Sequence, residues 1–363
     1  MTAIPPPFVP PAPAPAPVAP QVPPPWWVHP PRRSFLGRFF RTLFVLLFVL
    51  SVLINVYVFM AISALGTEMS STAIEKGPRD KIVAVYSVNG VIGSKAAANF
   101  YRFYQAVRDK PEIKAVVVRV ESPGGGVSAS DQIHQMVRSI REKLHKPVVV
   151  SMGGLAASGG YYISAPADEI YAEPTTVTGS IGVLAAWPVF KGLMDKWGIE
   201  AVIIRSTHAE EWKAKENFME TPTPAVRKDV QNMLDVMQER FEQVVRDGRG
   251  SRLAKPKAPA PEAAATRPAQ ADPFNGRVYV ADEAKTLGLV DQIGYLHDAG
   301  LAAAKRAKVE ASYRLVEYAP RTGVLEALLG GEEVSSRGEG AVRIDAEGLE
   351  NLTAPRILMI WKP

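Results

Sequence analysis

Ser158 stands in Gly154-Leu155-Ala156-Ala157-Ser158-Gly159-Gly160-Tyr161-Tyr162, among residues too small to cover it. The segment follows the β-run Pro147-Val148-Val149-Val150-Ser151-Met152. A hydroxyl at a strand-to-helix turn, with glycine on its C-terminal side, is open to a substrate backbone, as a nucleophile must be. A second glycine-rich turn, Ser122-Pro123-Gly124-Gly125-Gly126, follows the apolar run ending at Val120. In a parallel sheet both turns emerge at the carboxyl edge, where ligands bind. Glycine lets backbone N–H groups approach a ligand, and a helix start adds unpaired N–H groups and partial positive charge. Together these could form an oxyanion hole for a tetrahedral intermediate. The same features could cradle a phosphate. However, the first turn lacks the lysine and spacing of a P-loop, and no Gly-x-Gly-x-x-Gly occurs. Two purely structural tight turns are the bland alternative.

A serine nucleophile needs a base. Of the five histidines, His29 lies in a proline-rich tail, His134 on a predicted amphipathic helix and His145 just before Lys146-Pro147. His208 is in a polar loop and His297 near a late helix, so none stands in a motif with an acidic partner. A lysine serves instead if its amine is neutral. That needs a pKa several units below about 10.4, which burial in an apolar pocket supplies. Trp212-Lys213-Ala214-Lys215-Glu216-Asn217-Phe218 sets two lysines between aromatic residues, just after a predicted strand ending at Arg205. Most other lysines read as solvated.

These residues need a scaffold, and from Lys81 onward the pattern is α/β. Lys81–Tyr86, Ala115–Val120 and Val148–Met152 read as strands. Phe100–Arg108 reads as a helix. Ser130–Leu144 carries Ile133, Met136, Val137, Ile140 and Leu144 at helical spacing. A small-residue helix follows Ser158, Ile199–Arg205 reads as a further strand, and Thr223–Val245 as a long helix opened by prolines. Alternating strands and helices predict a mainly parallel sheet covered on both faces. Residues 249–272, rich in Ala and Pro, predict a mobile surface insertion in a domain spanning 81–320. Residues 321–363 read as a C-terminal tail without chemical signal.

The N-terminal part is different. Residues 1–33 form a proline-rich tail, expected to be extended or solvated. An uncharged apolar run, Leu43–Leu65, is long enough to cross a hydrocarbon core of about 30 Å. It predicts a single transmembrane anchor within 34–66, followed by a linker over 67–80. Arg32, Arg33, Arg38 and Arg41 precede the run and Glu68 follows it. The charge asymmetry predicts a cytoplasmic N-terminus and an extracytoplasmic domain. A cleaved signal peptide and a twin-arginine signal fit less well. The chain has 363 residues and a net charge of +5, but its basic residues are scattered, so no nucleic-acid partner is expected. It has no cysteine, which excludes disulfides, thiolate metal sites and a cysteine nucleophile.

Five blocks occur in the order found in bacterial signal peptide peptidase A (protease IV). They are Asn89-Gly90-Val91-Ile92, Glu121-Ser122-Pro123-Gly124-Gly125, Ala157-Ser158-Gly159-Gly160-Tyr161-Tyr162, Thr178-Gly179-Ser180-Ile181-Gly182-Val183 and Gly288-Leu289-Val290-Asp291-Gln292-Ile293-Gly294. The chain resembles that family over roughly residues 81–300. The resemblance implies a fold related to Clp protease and crotonase, and a Ser/Lys dyad. It implies Ser158 as nucleophile, Ser180 as the hydroxyl orienting the lysine, and backbone N–H groups of Gly124 and Gly159 as oxyanion donors, with Gly125 an alternative to Gly124. Lys213 best matches the family's lysine, with Lys215 as alternative; the spacing to Phe218 is short and lacks the usual proline. The resemblance also implies hydrophobic peptide substrates such as remnant signal peptides, no metal or organic cofactor, a bacterial cytoplasmic-membrane location, and a homo-oligomer whose neighbours complete each active site. A catalytically weak, peptide-binding membrane scaffold of the same fold is the alternative.

Overall fold

The structure, a computed structural model, describes residues 35–65, 69–210, 212–215, 217–254, 272–320 and 356–360. The proline-rich tail, most of the Ala/Pro-rich insertion and most of the C-terminal tail lie outside the described residues.

Helix α1, Phe35–Leu65, carries the apolar run. Its stretch Leu36–Met60 has a mean hydropathy of 2.7 over its most apolar window, long and apolar enough to cross a membrane. Strand β1 (Met69–Glu75) falls inside the expected linker, then come β2 (Ile82–Asn89) and α2 (Ser94–Asp109). Next are β3 (Ile113–Ser122), β4 (Gly124–Gly126), α3 (Val127–Glu142), β5 (Val148–Ala157) and α4 (Gly159–Ser164). Short strands β6 (Glu169–Ala172), β7 (Val177–Gly179) and β8 (Leu184–Ala186) precede α5 (Lys191–Lys196) and the long α6 (Pro224–Arg249). The chain continues through β9 (Val278–Val280), α7 (Ala281–Thr286), β10 (Gln292–Ile293), α8 (Leu296–Arg306) and β11 (Arg314–Pro320), and ends in β12 (Arg356–Ile360).

The main sheet runs β1-β11-β2-β3-β5-β6-β10. From β11 to β10 every pair is parallel; β1 adds to β11 antiparallel at the edge. Parallel strands covered on both faces are buried throughout, so β2, β3 and β5 read as valine-rich runs. Val116, Val118, Val148 and Val150 face one apolar cluster, with Phe100, Phe103 and Ile133 from α2 and α3. Val117 and Val149 face the other, with Ala299 and Ala303 from α8. Helix α6 starts where the prolines predict: Thr223 caps it by accepting from the Val226 N–H, and Pro224 occupies its first turn.

Two expectations need correction. Residues 199–205 form no strand: Ile199, Val202 and Ile204 are 54%, 77% and 90% exposed. The apolar run Ala201-Val202-Ile203-Ile204 is present, but among the described residues no neighbouring edge pairs with it. The start of the expected insertion is not mobile. Arg249 is buried and donates two hydrogen bonds to the Asp291 carboxylate, at 2.9 and 2.7 Å, and one to the Gly288 carbonyl at 3.0 Å. Such a pair stays buried because its hydrogen bonds are made.

Candidate active site

Strand β5 changes partner along its length. Val149–Met152 pair with β6, whereas Leu155–Ala157 pair with β7. The Gly153-Gly154 step lies between. Glu121 occupies this gap, accepting from the Gly154 N–H at 2.9 Å and the Leu155 N–H at 3.1 Å. A Cβ on Gly153 would lie 1.7 Å from the Glu121 carboxylate, so a side chain there would push the carboxylate aside. The β3–β5 register slips here, between the Val120–Met152 and Ser122–Ala156 pairs, and the carboxylate satisfies two N–H groups of the resulting bulge.

The β5–β7 register pairs Ala156 with Thr178 and Ala157 with Gly179. Ser158 and Ser180 are each the next residue, so parallel pairing brings the two serines to neighbouring positions at the strand ends. Both are buried, and both have positive φ, 53° and 51°. Thr178 Oγ1 donates to the Ala156 carbonyl at 2.6 Å, and the Ser158 N–H donates to the Gly179 carbonyl at 2.8 Å. Ser158 is the N-cap of α4, with its Oγ 3.5 Å from the Gly182 carbonyl.

The glycine turn forms β4. The Ile92 N–H donates to the Gly124 carbonyl and the Gly126 N–H to the Ile92 carbonyl, each at 2.9 Å. Alternation along a strand then turns the N–H and C=O of Gly125 the opposite way. On that side lies β12, with Met359 opposite Gly125. The Gly124 N–H donates to Ser122 Oγ at 3.0 Å, so Gly125, the alternative donor, is the better placed of the two. The Met359 carbonyl oxygen lies 2.0 Å from where a Cβ on Gly124 would sit and 3.1 Å from that of Gly159. The Met359 carbonyl of β12 therefore lies against the glycine turn and the start of α4.

The lysines are not at this point. Lys213 is exposed and Lys215 half-buried, whereas Ser158 is fully buried. Arg205 pins the segment by donating to the Lys213 carbonyl at 2.5 Å and the Ala214 carbonyl at 3.2 Å, and pairs with Glu220. Within one chain the hydrogen bond of the Ser158 hydroxyl runs to the Gly182 carbonyl and not to either amine. Nor does a histidine replace them. His134 is buried edge-on against Tyr162 at 5.2 Å, and burial pushes its pKa down to about 4. Among the described residues no group of three or more His, Asp or Glu could hold a metal.

Two features escaped the sequence reading. Glu121 was visible only as a member of a family block. Strand β12 comes from a tail that carried no signal; its apolar run, Ile357-Leu358-Met359-Ile360, is too short to stand out.

A parallel sheet whose glycine turns and buried serines meet at its carboxyl edge defines an α/β protein of the Clp protease fold class. The Clp protease family model accordingly matches residues 80–176, and that of peptidase family S49 matches residues 140–310. A Synechocystis sp. protein named "Putative protease" is 31% identical over 60% of this chain and 72% of its own length. The Enterococcus faecium protein "Putative signal peptide peptidase SppA" is 29% identical over 82% of this chain and 81% of its own length. Protease 4 of Salmonella typhi is 33% identical over 68% of this chain, which spans only 38% of that longer protein. The chain belongs to peptidase family S49, the family of signal peptide peptidase A.

Proposed function

We propose that the protein is a membrane-anchored serine endopeptidase that cuts extended hydrophobic peptides, remnant signal peptides among them. The observation that carries this reading is the peptide strand β12, lodged against Gly124, Gly125 and Gly159 beside Ser158. Ser158 Oγ attacks the carbonyl seated there. The N–H groups of Gly125 and Gly159 stabilise the oxyanion. A neutral lysine takes the serine proton, passes it to the leaving amine, and then activates the water that hydrolyses the acyl-enzyme.

The lysine is Lys213 of a neighbouring copy. Its exposure within one chain supports this, as does the unpaired apolar run Ile199–Ile204 leading to it, which a second copy would cover. Docking there also dries the amine: lowering a lysine pKa by three units costs about 4 kcal/mol, which burial at a subunit contact can offset. Ser180, held beside Ser158 by the β5–β7 register, accepts a hydrogen bond from the amine and aims it. The arginines before α1 support a cytoplasmic N-terminus and an extracytoplasmic peptidase domain.

Hydrolysis of an apolar peptide by the purified protein tests this. Ser158→Ala and Lys213→Ala should each lower kcat by at least about a thousandfold with KM little changed. Full activity in Ser158→Ala contradicts the mechanism, and loss with Lys215→Ala but not Lys213→Ala moves the base. The second reading, a peptide-binding scaffold, draws on the separation of amine and hydroxyl within a chain. A serine-directed acylating probe separates the two: labelling of Ser158 that disappears in Lys213→Ala marks an enzyme, and no labelling at any pH marks the scaffold.

A further inference from the structure

Ser130 is the fourth residue of α3, and its side chain is fully buried. Its hydroxyl has no hydrogen-bond partner. Other fully buried hydroxyls are satisfied. Those of Ser122, Ser164, Thr176 and Thr178 donate to the Gly90, Gly160, Gly153 and Ala156 carbonyls at 2.6, 2.7, 2.7 and 2.6 Å. Ser164 shows the usual resort of a serine inside a helix, a bond back to the carbonyl four residues earlier. For Ser130 that carbonyl belongs to Gly126, and the bond is not made. A buried polar atom left without a partner is costly and calls for a reason.

The surroundings of the hydroxyl supply one. Side chains on a helix lean towards its N-terminus, which for α3 means towards β4. A Cβ on Gly159 would stand 2.6 Å from Ser130 Oγ, 3.1 Å from the Gly125 nitrogen and 3.1 Å from the Met359 carbonyl oxygen. The hydroxyl, one of the proposed oxyanion donors and a peptide carbonyl thus surround a single point, which stays open because residue 159 is glycine. The hydroxyl makes no bond to the Met359 carbonyl. Helix α3 also opens beside β4, so its unpaired N–H groups favour negative charge there.

We propose that Ser130 is a third, side-chain donor to the oxyanion. The proposal rests on the reading of Ser158 as a peptidase nucleophile. As Ser158 Oγ bonds to the substrate carbonyl carbon, the π pair of the C=O bond moves onto its oxygen. That oxygen shifts as the carbon becomes tetrahedral, and Ser130 Oγ donates to it beside the Gly125 and Gly159 N–H groups. The hydroxyl keeps its proton throughout. A hydrogen bond absent from the bound substrate and made in the transition state raises kcat and leaves KM alone.

The test compares Ser130→Ala with the wild-type full chain. In hydrolysis of an apolar peptide, kcat should fall about a hundredfold with KM unchanged. Affinity for the aldehyde acetyl-Leu-Leu-methional, which adds to a serine and places its oxygen in the hole, should fall by a similar factor. Affinity for the matching alcohol, which forms no such adduct, should not change. The melting temperature should hold or rise, because the variant removes a buried hydroxyl that has no partner. Ser130→Cys, a weaker donor of similar shape, should fall between the two in kcat. An unchanged kcat in Ser130→Ala overturns the proposal. So does a fall in kcat that comes with an equal loss of affinity for the alcohol or with a lower melting temperature, since a structural hydroxyl would act that way. The two readings fail separately. Full activity in Ser158→Ala refutes the peptidase mechanism; an inactive Ser158→Ala beside an unimpaired Ser130→Ala refutes only the third donor.

Discussion

Ser158 and Ser180 hold φ values of 53° and 51°, where an L side chain crowds its own backbone. Such strain costs on the order of 1–3 kcal/mol and persists only where the surroundings impose it. Here the β5–β7 pairing and the Ser158 N–H to Gly179 bond impose it. Ser158→Gly should therefore abolish hydrolysis while raising stability by about 1 kcal/mol, whereas Ser158→Ala abolishes hydrolysis without that gain. Thermal unfolding of the two variants checks this, and equal stabilities contradict it. His134 provides a prediction in pH. Burial lowers its folded-state pKa to about 4 from an unfolded value near 6.5, so the unfolded chain binds the extra proton first. Its contribution is fully present above about pH 6.5 and is lost as pH falls towards 4, about 3 kcal/mol in all. His134→Phe should flatten the fall in unfolding free energy across that window. An unchanged slope would show that other groups set it.

Between residues and fold, β5 explains why the serine is where it is. The sequence made its valine half legible and stopped the strand at Met152; the chain continues to Ala157 because Leu155–Ala157 pair with β7, while Glu121 accepts from the two N–H groups at the intervening bulge. That contact is invisible to periodicity, since Glu121 and Gly153-Gly154 lie far apart in sequence and meet only across the sheet. Strands β2 and β3 and helices α2, α3 and α6 were legible because buried apolar runs and helical spacing are local signals. The run at 199–205 carried the same signal and misled, since a short apolar run records hydrophobicity and not whether a partner edge exists within the chain. Glu121 is a positioning residue. Glu121→Ala should cost about 1 kcal/mol of stability, since the carboxylate is exposed, yet lower kcat roughly tenfold with KM unchanged. Glu121→Gln, which still presents an acceptor oxygen, should restore most of kcat. A KM effect, or no rescue by Gln, would assign Glu121 a different role.

For the whole molecule, the candidate serines and the glycine turns assemble within one chain, while Lys213 stays exposed. Serine and glycines sit at the ends of sheet strands, where topology fixes them; the lysine rides on a segment with exposed apolar residues that pairs with no strand among the described residues. The motif offered Lys213, with Lys215 as alternative, and its spacing carries no information on contacts between copies. The most direct measurement is complementation between two inactive variants. Ser158→Ala and Lys213→Ala chains, co-expressed in equal amounts and purified together, should recover about a quarter of wild-type peptidase activity, because a quarter of the randomly mixed contacts join an intact serine to an intact lysine. Activity no higher than that of either variant alone, in oligomers verified to contain both chains, would contradict a dyad shared between copies.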